Sequence, residues 1–132
     1  MNIEINTANT IFDHRGNLSI IEGERDLPFM IKRVFYIWAN QDGHPRGGHA
    51  HRALFQSFIS VHGECTLKIT NGRETREITL DSPVYCATVP PGFWVDIDNF
   101  STDCVLMVLT SEYYDESDYI RDYNEYLSYV KA

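Results

Sequence analysis

From Lys32 to Thr110 the chain is broken at short, regular intervals by residues that turn a backbone. These are Gly63-Glu64, Asn71-Gly72, Asp81-Ser82-Pro83, Pro90-Pro91-Gly92 and the stretch from Asn99 to Asp103. Between them lie short runs rich in β-branched and aromatic residues, which place strands near 32–39, 49–52, 54–62, 65–70, 73–79, 84–89, 93–98 and 104–110. Asn71-Gly72 is the strongest two-residue hairpin signal in the chain. Many short strands at regular spacing argue for an all-β sandwich or barrel and against a βαβ fold. Upstream, residues 3–12 alternate weakly as an edge strand, Asp13 to Asn17 reads as a turn, and Leu18 to Ile21 reads as a second strand. Downstream the period changes. Asp115 or Ser117 can cap a helix over about 116–130, with Ile120, Tyr123, Leu127 and Val130 as its buried stripe. The tyrosines of this tail read as packing residues. No repeat, low-complexity segment or linker divides the chain, so residues 1–132 are expected to form one domain.

Chemistry concentrates in residues 43–63, which open at Gly43, run through Arg46-Gly47-Gly48-His49-Ala50-His51 and reach Gln56 and Gly63. Two histidines at i and i+2 of a strand project from the same face, because side chains alternate with period 2. If that face is the inside of a barrel, both imidazoles enter one cavity. The spacing resembles the first motif of the cupin superfamily of small β-barrels. A second stretch matches the second cupin motif at Pro90, Gly92 and Asn99. The resemblance implies a jelly-roll barrel with a C-terminal α-helix, and a metal site of three His and one Glu. Here only His49 and His51 stand at ligand positions; the Glu falls on Gln56 and the third His on Val95. An amide is a poor ligand for a transition metal and valine is none, so no metal is expected. Freed from a metal, two imidazoles can serve as acid and base near neutral pH.

The net charge of −8 argues against nucleic-acid binding, yet Lys32, Arg33, Arg46 and Arg52 are four of only eleven basic residues and cluster near the histidines. An anionic ligand is therefore compatible with the acidic whole. No apolar run approaches the roughly 18 residues of a membrane span, and no signal-peptide pattern is present. Cys65, Cys86 and Cys104 form no paired motif, which fits reduced thiols in a cytoplasmic protein.

Taken over nearly its full length, the chain resembles the small metal-free cupins that act as dTDP-sugar 3,4-ketoisomerases. The resemblance rests on Asp13-x-Arg15-Gly16-x-Leu18, Ile31-Lys32-Arg33-Val34-x-Tyr36-Ile37, Arg46-Gly47-x-His49-Ala50-His51 and Leu54-x-Gln56. It continues through Asp103 to Leu109 and Tyr113 to Arg121. Two departures stand out: Gly48 where the family often has an aromatic residue, and Trp94-Val95-Asp96 where some relatives carry Trp-His-Glu. The resemblance implies conversion of a nucleotide-linked 4-keto-6-deoxyhexose to its 3-keto isomer through an enediol, by proton transfers that need no cofactor. It implies His49 and His51 as acid and base, with Tyr36 as a third catalytic candidate. Arg33 and Arg46 match the oxygens of a diphosphate as guanidinium forks, and Gln56 can orient a histidine or a sugar hydroxyl. It also implies a homodimer that exchanges an N-terminal strand; pairing of that strand within its own barrel is the alternative. A sugar 3,5-epimerase, a non-catalytic sugar-binding cupin and a metal-dependent cupin remain the rival functions.

Overall fold

Alternation along single strands sets the architecture. In one strand Cys65, Leu67 and Ile69 are fully buried while Lys68 between them is exposed, the mark of a sheet with one apolar face. The computed structural model describes residues 1–132, and its strands are β1 (Glu4–Thr7), β2 (Asn9–Ile11), β3 (Leu18–Ile20), β4 (Arg33–Ile37), β5 (Arg46–His51) and β6 (Gln56–His62). They continue as β7 (Cys65–Thr70), β8 (Thr75–Leu80), β9 (Tyr85–Val89), β10 (Trp94–Asp98), β11 (Val105–Thr110) and β12 (Tyr119–Ile120). Two five-stranded antiparallel sheets, ordered β1-β9-β6-β11-β4 and β12-β5-β10-β7-β8, enclose the core. Phe58, Ala87, Leu106 and Val108 from the first sheet meet Leu67, Ile69, Ile78, Val95 and Ile97 from the second. This is the jelly-roll architecture expected of a cupin. Strands β2 and β3 form a separate hairpin outside both sheets, while β1 pairs with β9 of the same chain.

The strand that carries the histidines begins earlier than expected. Residues Arg46, Gly47 and Gly48 belong to β5 rather than to the preceding loop. Opposite them on β10, Val95 pairs with His49 but Asp96 pairs with Gly47, so Gly48 is the extra residue of a β-bulge. Both glycines lie at positive φ, 82° and 74°, where a side chain is strained. A Cβ on Gly47 would come within 2.7 Å of the Val95 carbonyl oxygen. The bulge thus resets the alternation just before His49 and aims His49 and His51 inward.

The C-terminal helix over 116–130 requires correction. Glu116–Asp118 is a single 3-10 turn capped by the Asp115 side chain, and Tyr119–Ile120 is strand β12, paired antiparallel with Ala50 and His51 of β5. Helix α1 spans only Tyr123–Lys131, with Asp122 as its N-cap accepting from the Glu125 amide. Ile120 is buried, as the apolar stripe required, but through strand pairing against Ala50, Trp94 and Tyr126. Tyr126, fully buried, donates its hydroxyl to the carbonyl oxygens of Thr70 at 3.0 Å and Gly92 at 2.8 Å. No helix is long and apolar enough to cross a membrane.

Tyr126 therefore tethers α1 to both β7 and the β9–β10 turn. Replacement Tyr126→Phe strips the donor from two carbonyls and is expected to cost about 1–2 kcal/mol, read as a drop of several degrees in Tm. An unchanged Tm would show that the tether carries no stability.

Candidate active site

One cavity of about 410 Å³ opens between the ends of the two sheets, lined by Arg33, Phe35, Pro45, Arg46, Gly47, His49, His51, Gln56, Tyr119 and Arg121. Strand β5 supplies the two histidines; their rings stand nearly perpendicular with centroids 5.0 Å apart. His51 is buried (3% exposed), and its Nδ1 lies 3.0 Å from Oδ2 of Asp118. Asp118 is itself held, since its Oδ1 accepts the Ala53 amide at 2.7 Å. His49 has a buried Nδ1 with no hydrogen-bond partner. Burial, the nearby His51 and the Arg121 charge push His49 down to about 4. His51 is also lowered, chiefly by burial, with Asp118 opposing that shift. Both shifts favour the neutral imidazole at pH 7.

Tyr119 forms the wall behind the pair. Its ring centroid is 4.9 Å from that of His49 and 4.3 Å from that of His51, and the Arg121 guanidinium lies 4.1 Å from its centre. Glu116 holds that guanidinium in a two-pronged ion pair, Nε at 2.7 Å and one terminal nitrogen at 3.0 Å. The Tyr114 hydroxyl donates to the same carboxylate. These bonds, Arg121 first, pull Glu116 down to about 2 and raise Arg121. Arg33 lies between Phe35 at 5.2 Å and Tyr114 at 5.5 Å, measured to the ring centres, and its Nε is buried with no partner. The Arg33 side chain lines the cavity, where a guanidinium's fork of donors suits an anion.

The structure brings His49, His51, Arg33, Arg46 and Gln56 to this one cavity. Tyr36 is not in it. In β4, Arg33 and Phe35 turn inward, so alternation sends Tyr36 to the opposite face, where it is 63% exposed. Val95, at the position of the third cupin histidine, is buried in the apolar core beneath the pair. No three His, Cys, Asp or Glu side chains converge in a metal-binding arrangement. The donors around His49 and His51 are an amide and a carboxylate already bonded on the far side of an imidazole, which is not a metal-ligand set.

Three residues of the site are not singled out by the sequence: Tyr119 and Arg121, which line the cavity, and Asp118, which stands behind His51. Read as helix, the segment puts Arg121 on the exposed face and Tyr119 among packing residues, and gives Asp118 no role. The signal was there in Ser117-Asp118-Tyr119-Ile120-Arg121, where a polar residue flanks each side of the two-residue apolar step. A segment this short carries too little of either period to distinguish the two readings.

The family model FdtA (WxcM-like, C-terminal) matches residues 1–131. The TDP-4-oxo-6-deoxy-alpha-D-glucose-3,4-oxoisomerase of Aneurinibacillus thermoaerophilus is 46% identical over 120 residues, which is 91% of this chain and 86% of that protein. Among solved structures, a 3,4-ketoisomerase from Helicobacter canadensis superposes with a TM-score of 0.96 at 36% identity, covering 100% of this chain and 99% of that one. A histidine-to-asparagine mutant of the Thermoanaerobacterium thermosaccharolyticum 3,4-ketoisomerase, in complex with TDP-4-keto-6-deoxyglucose, superposes at 0.95 with 38% identity, covering 98% and 94% of the two chains.

The depressed imidazole carries a pH signature. An unfolded histidine titrates near 6.5, whereas His49 in the native site accepts a proton only near 4. The unfolded chain then binds more protons than the native one between those values. The site's contribution to stability is complete above about pH 6.5 and is lost as pH falls toward 4. NMR titration of the imidazoles is expected to place the His49 midpoint near 4. A midpoint at the ordinary value would contradict the desolvated geometry.

Proposed function

The chain belongs to the FdtA family (WxcM-like, C-terminal), whose relatives here are sugar 3,4-ketoisomerases, and from that membership we propose how its cavity works. The protein is an isomerase that converts dTDP-4-keto-6-deoxyglucose to a dTDP-3-keto-6-deoxyhexose. The observation that carries this reading is two imidazoles in one cavity, differently partnered, beside two arginine side chains. The reaction needs two proton relays: one moves the hydrogen of C3 to C4, the other moves a proton from O3 to O4.

His51 serves carbon. Its ring, bonded to a carboxylate on the Nδ1 side, takes the C3 proton that the neighbouring ketone acidifies and returns it at C4. The passing imidazolium charge is offset by Asp118. His49 serves oxygen. As a neutral imidazole it gives its N–H proton to the developing O4 anion and takes the proton of O3, ending as it began. This is the role a depressed pKa suits, because a neutral donor can both give and receive. Acid–base assistance of this kind contributes on the order of 10²–10⁴-fold, and hydrogen bonding to the enolate oxygen supplies more. Arg33, which lines the cavity, and exposed Arg46 at the rim receive the diphosphate. Gln56, nearly buried on β6, orients a sugar hydroxyl. No step calls for a metal or a redox cofactor.

A homodimer with exchange of the N-terminal strand completes the reading. The detached hairpin β2–β3 exposes Ile11, Phe12 (73%) and Leu18, and the outer face of edge strand β4 exposes Val34, Tyr36 and Trp38 (66%). Two unpartnered apolar features on one chain invite a two-fold partner that covers both. Three buried free thiols suit the reducing cytoplasm.

Incubation with dTDP-4-keto-6-deoxyglucose in deuterium oxide, with chelator present, is expected to give a 3-keto product by NMR, with solvent exchange read as deuterium at C4 of the product and at C3 of the recovered substrate. Replacement of either His49 or His51 by Asn should abolish turnover and leave the fold intact. A product that keeps its ketone at C4 with inverted ring centres would instead identify an epimerase. For the assembly, sedimentation should find a dimer at micromolar concentration that truncation of residues 1 to 17 weakens. A wild-type monomer at that concentration would rule the dimer out.

A further inference from the structure

The tail crosses back to the histidine strand by a set of bonds that do not all do the same job. The backbone latch is complete without any side chain: Tyr119 and Ile120 pair with His51 and Ala50, the Arg52 amide donates to the Asp118 carbonyl at 3.0 Å, and the Asp118 amide donates to the Asp115 carbonyl at 3.1 Å. The Tyr126 hydroxyl then clamps α1 to the barrel. With the segment already held, the Asp118 carboxylate is not needed to place it. One oxygen is fixed by the Ala53 amide at 2.7 Å, and the other meets His51 Nδ1 at 3.0 Å. That is the one side-chain hydrogen bond the His51 ring makes.

We infer that Asp118 is a positioning residue of the reaction: by accepting the Nδ1–H of His51 it selects one tautomer and leaves Nε2 as the lone pair presented to the cavity. The inference rests on the ketoisomerase reading and deepens it. A neutral imidazole carries its proton on one nitrogen only, and the hydrogen bond at that nitrogen decides which one. No other group competes for the role. His49 faces His51 from β5, Arg33 from β4, Gln56 from β6, and Tyr119 and Arg121 from the returning tail. Gln56 and His49 carry acceptors but make no hydrogen bond to the ring, Arg33 and Arg121 carry no acceptor, Tyr119 meets it ring to ring, and Glu116 is engaged by Arg121 and Tyr114. When His51 takes the carbon-bound proton, Asp118 is also the nearest negative charge to the resulting imidazolium. A carboxylate in this place does two things at once: it directs the lone pair and it stabilises the charged intermediate.

The substitution Asp118→Asn separates this role from a structural one. The amide oxygen can still accept from Ala53, but the amide nitrogen then donates to Nδ1 and drives the His51 proton to Nε2, blocking the base. The expected result is a fall in kcat of about 10²–10⁴-fold, with KM within a few-fold and Tm close to wild type. Asp118→Ala imposes no tautomer, so its kcat should fall less than that of the Asn variant. A merely structural Asp118 predicts the reverse order, since Ala loses both bonds and Asn keeps them. Nitrogen-15 NMR of histidine-labelled protein reads the tautomer directly. It should show Nδ1–H at His51 in the wild type and Nε2–H in Asp118→Asn. Wild-type protein with its proton on Nε2, or an Ala variant slower than the Asn variant, would overturn the inference. Should the Ala variant fail to fold, the tautomers of the wild type and the Asn variant decide. A wild type that leaves dTDP-4-keto-6-deoxyglucose unchanged would refute the reading of function instead, since the tautomer measurement needs no substrate.

Discussion

The pairing of two residues, Tyr119 and Ile120, with the histidine strand is the constraint on which the site depends. The core between the sheets would be complete without them, since its buried cluster draws on β6 through β11, with Ile3 and Phe100, and uses nothing from the tail. What the pairing adds is the wall of the cavity. It sets Tyr119 against both imidazoles, puts Asp118 within hydrogen-bond reach of one, and brings the Arg121–Glu116 pair to the rim. The pairing in turn depends on burial of Ile120 against Ala50, Trp94 and Tyr126. Apolar contact behind the strand holds polar groups in front of it. Burial at roughly 25 cal/mol per Å² supplies the holding energy, and the exposed ion pair at the rim adds little to it.

The two-sheet architecture was legible because it is written in many weak, agreeing signals. Asn71-Gly72, Pro90-Pro91-Gly92 and the apolar alternation of 65–70 each point to the same topology, and agreement across levels is what makes a fold readable. The histidine pair and its inward aim were legible for the same reason: period 2 needs only two residues to show itself. The bulge at Gly47-Gly48 was half legible. Two adjacent glycines announced a special backbone, but only the pairing of Asp96 with Gly47 shows that the extra residue lies inside the strand. Tyr36 and the tail were misread for one physical reason. Each was given a face without its strand phase: Tyr36 stands three residues from Arg33 and so on the opposite face of β4, and the tail takes its phase from β5. The phase of β4 follows from its pairing with β11, and β12 exists only because β5 offers an edge.

Electrostatics inside the cavity run against those of the whole molecule. The chain carries a net charge of −8, yet the cavity is lined by Arg33, Arg46 and Arg121 and by no carboxylate. Glu116 offsets Arg121 from just outside, which leaves Arg33 and Arg46 as the uncompensated cations. Such a field draws an anionic ligand into a molecule that otherwise repels it. Burial does most to hold the imidazoles neutral, and positive charge adds to it: Arg121 at both rings and Arg33 at His51. A single arrangement of charge thus favours the anion and keeps the bases free.

The residues that replace metal ligands complete this logic. A cupin that holds a metal can polarise a ketone by Lewis acidity, and its histidines are then engaged as ligands. With Val95 closing the core beneath His49 and Gln56 offering only an amide, the two imidazoles keep their lone pairs. They must then be distinguished by their neighbours instead of by a shared ion. Here the neighbours differ as far as two side chains on one strand can. His51 has a carboxylate on its Nδ1 side, while His49 has a buried nitrogen with no partner. Two chemically identical rings, two residues apart, are given unequal surroundings by what the tail and the sheet place beside them. An isomerisation that moves one proton between carbons and another between oxygens requires that inequality, because the first transfer needs a base that tolerates charge and the second a donor that stays neutral.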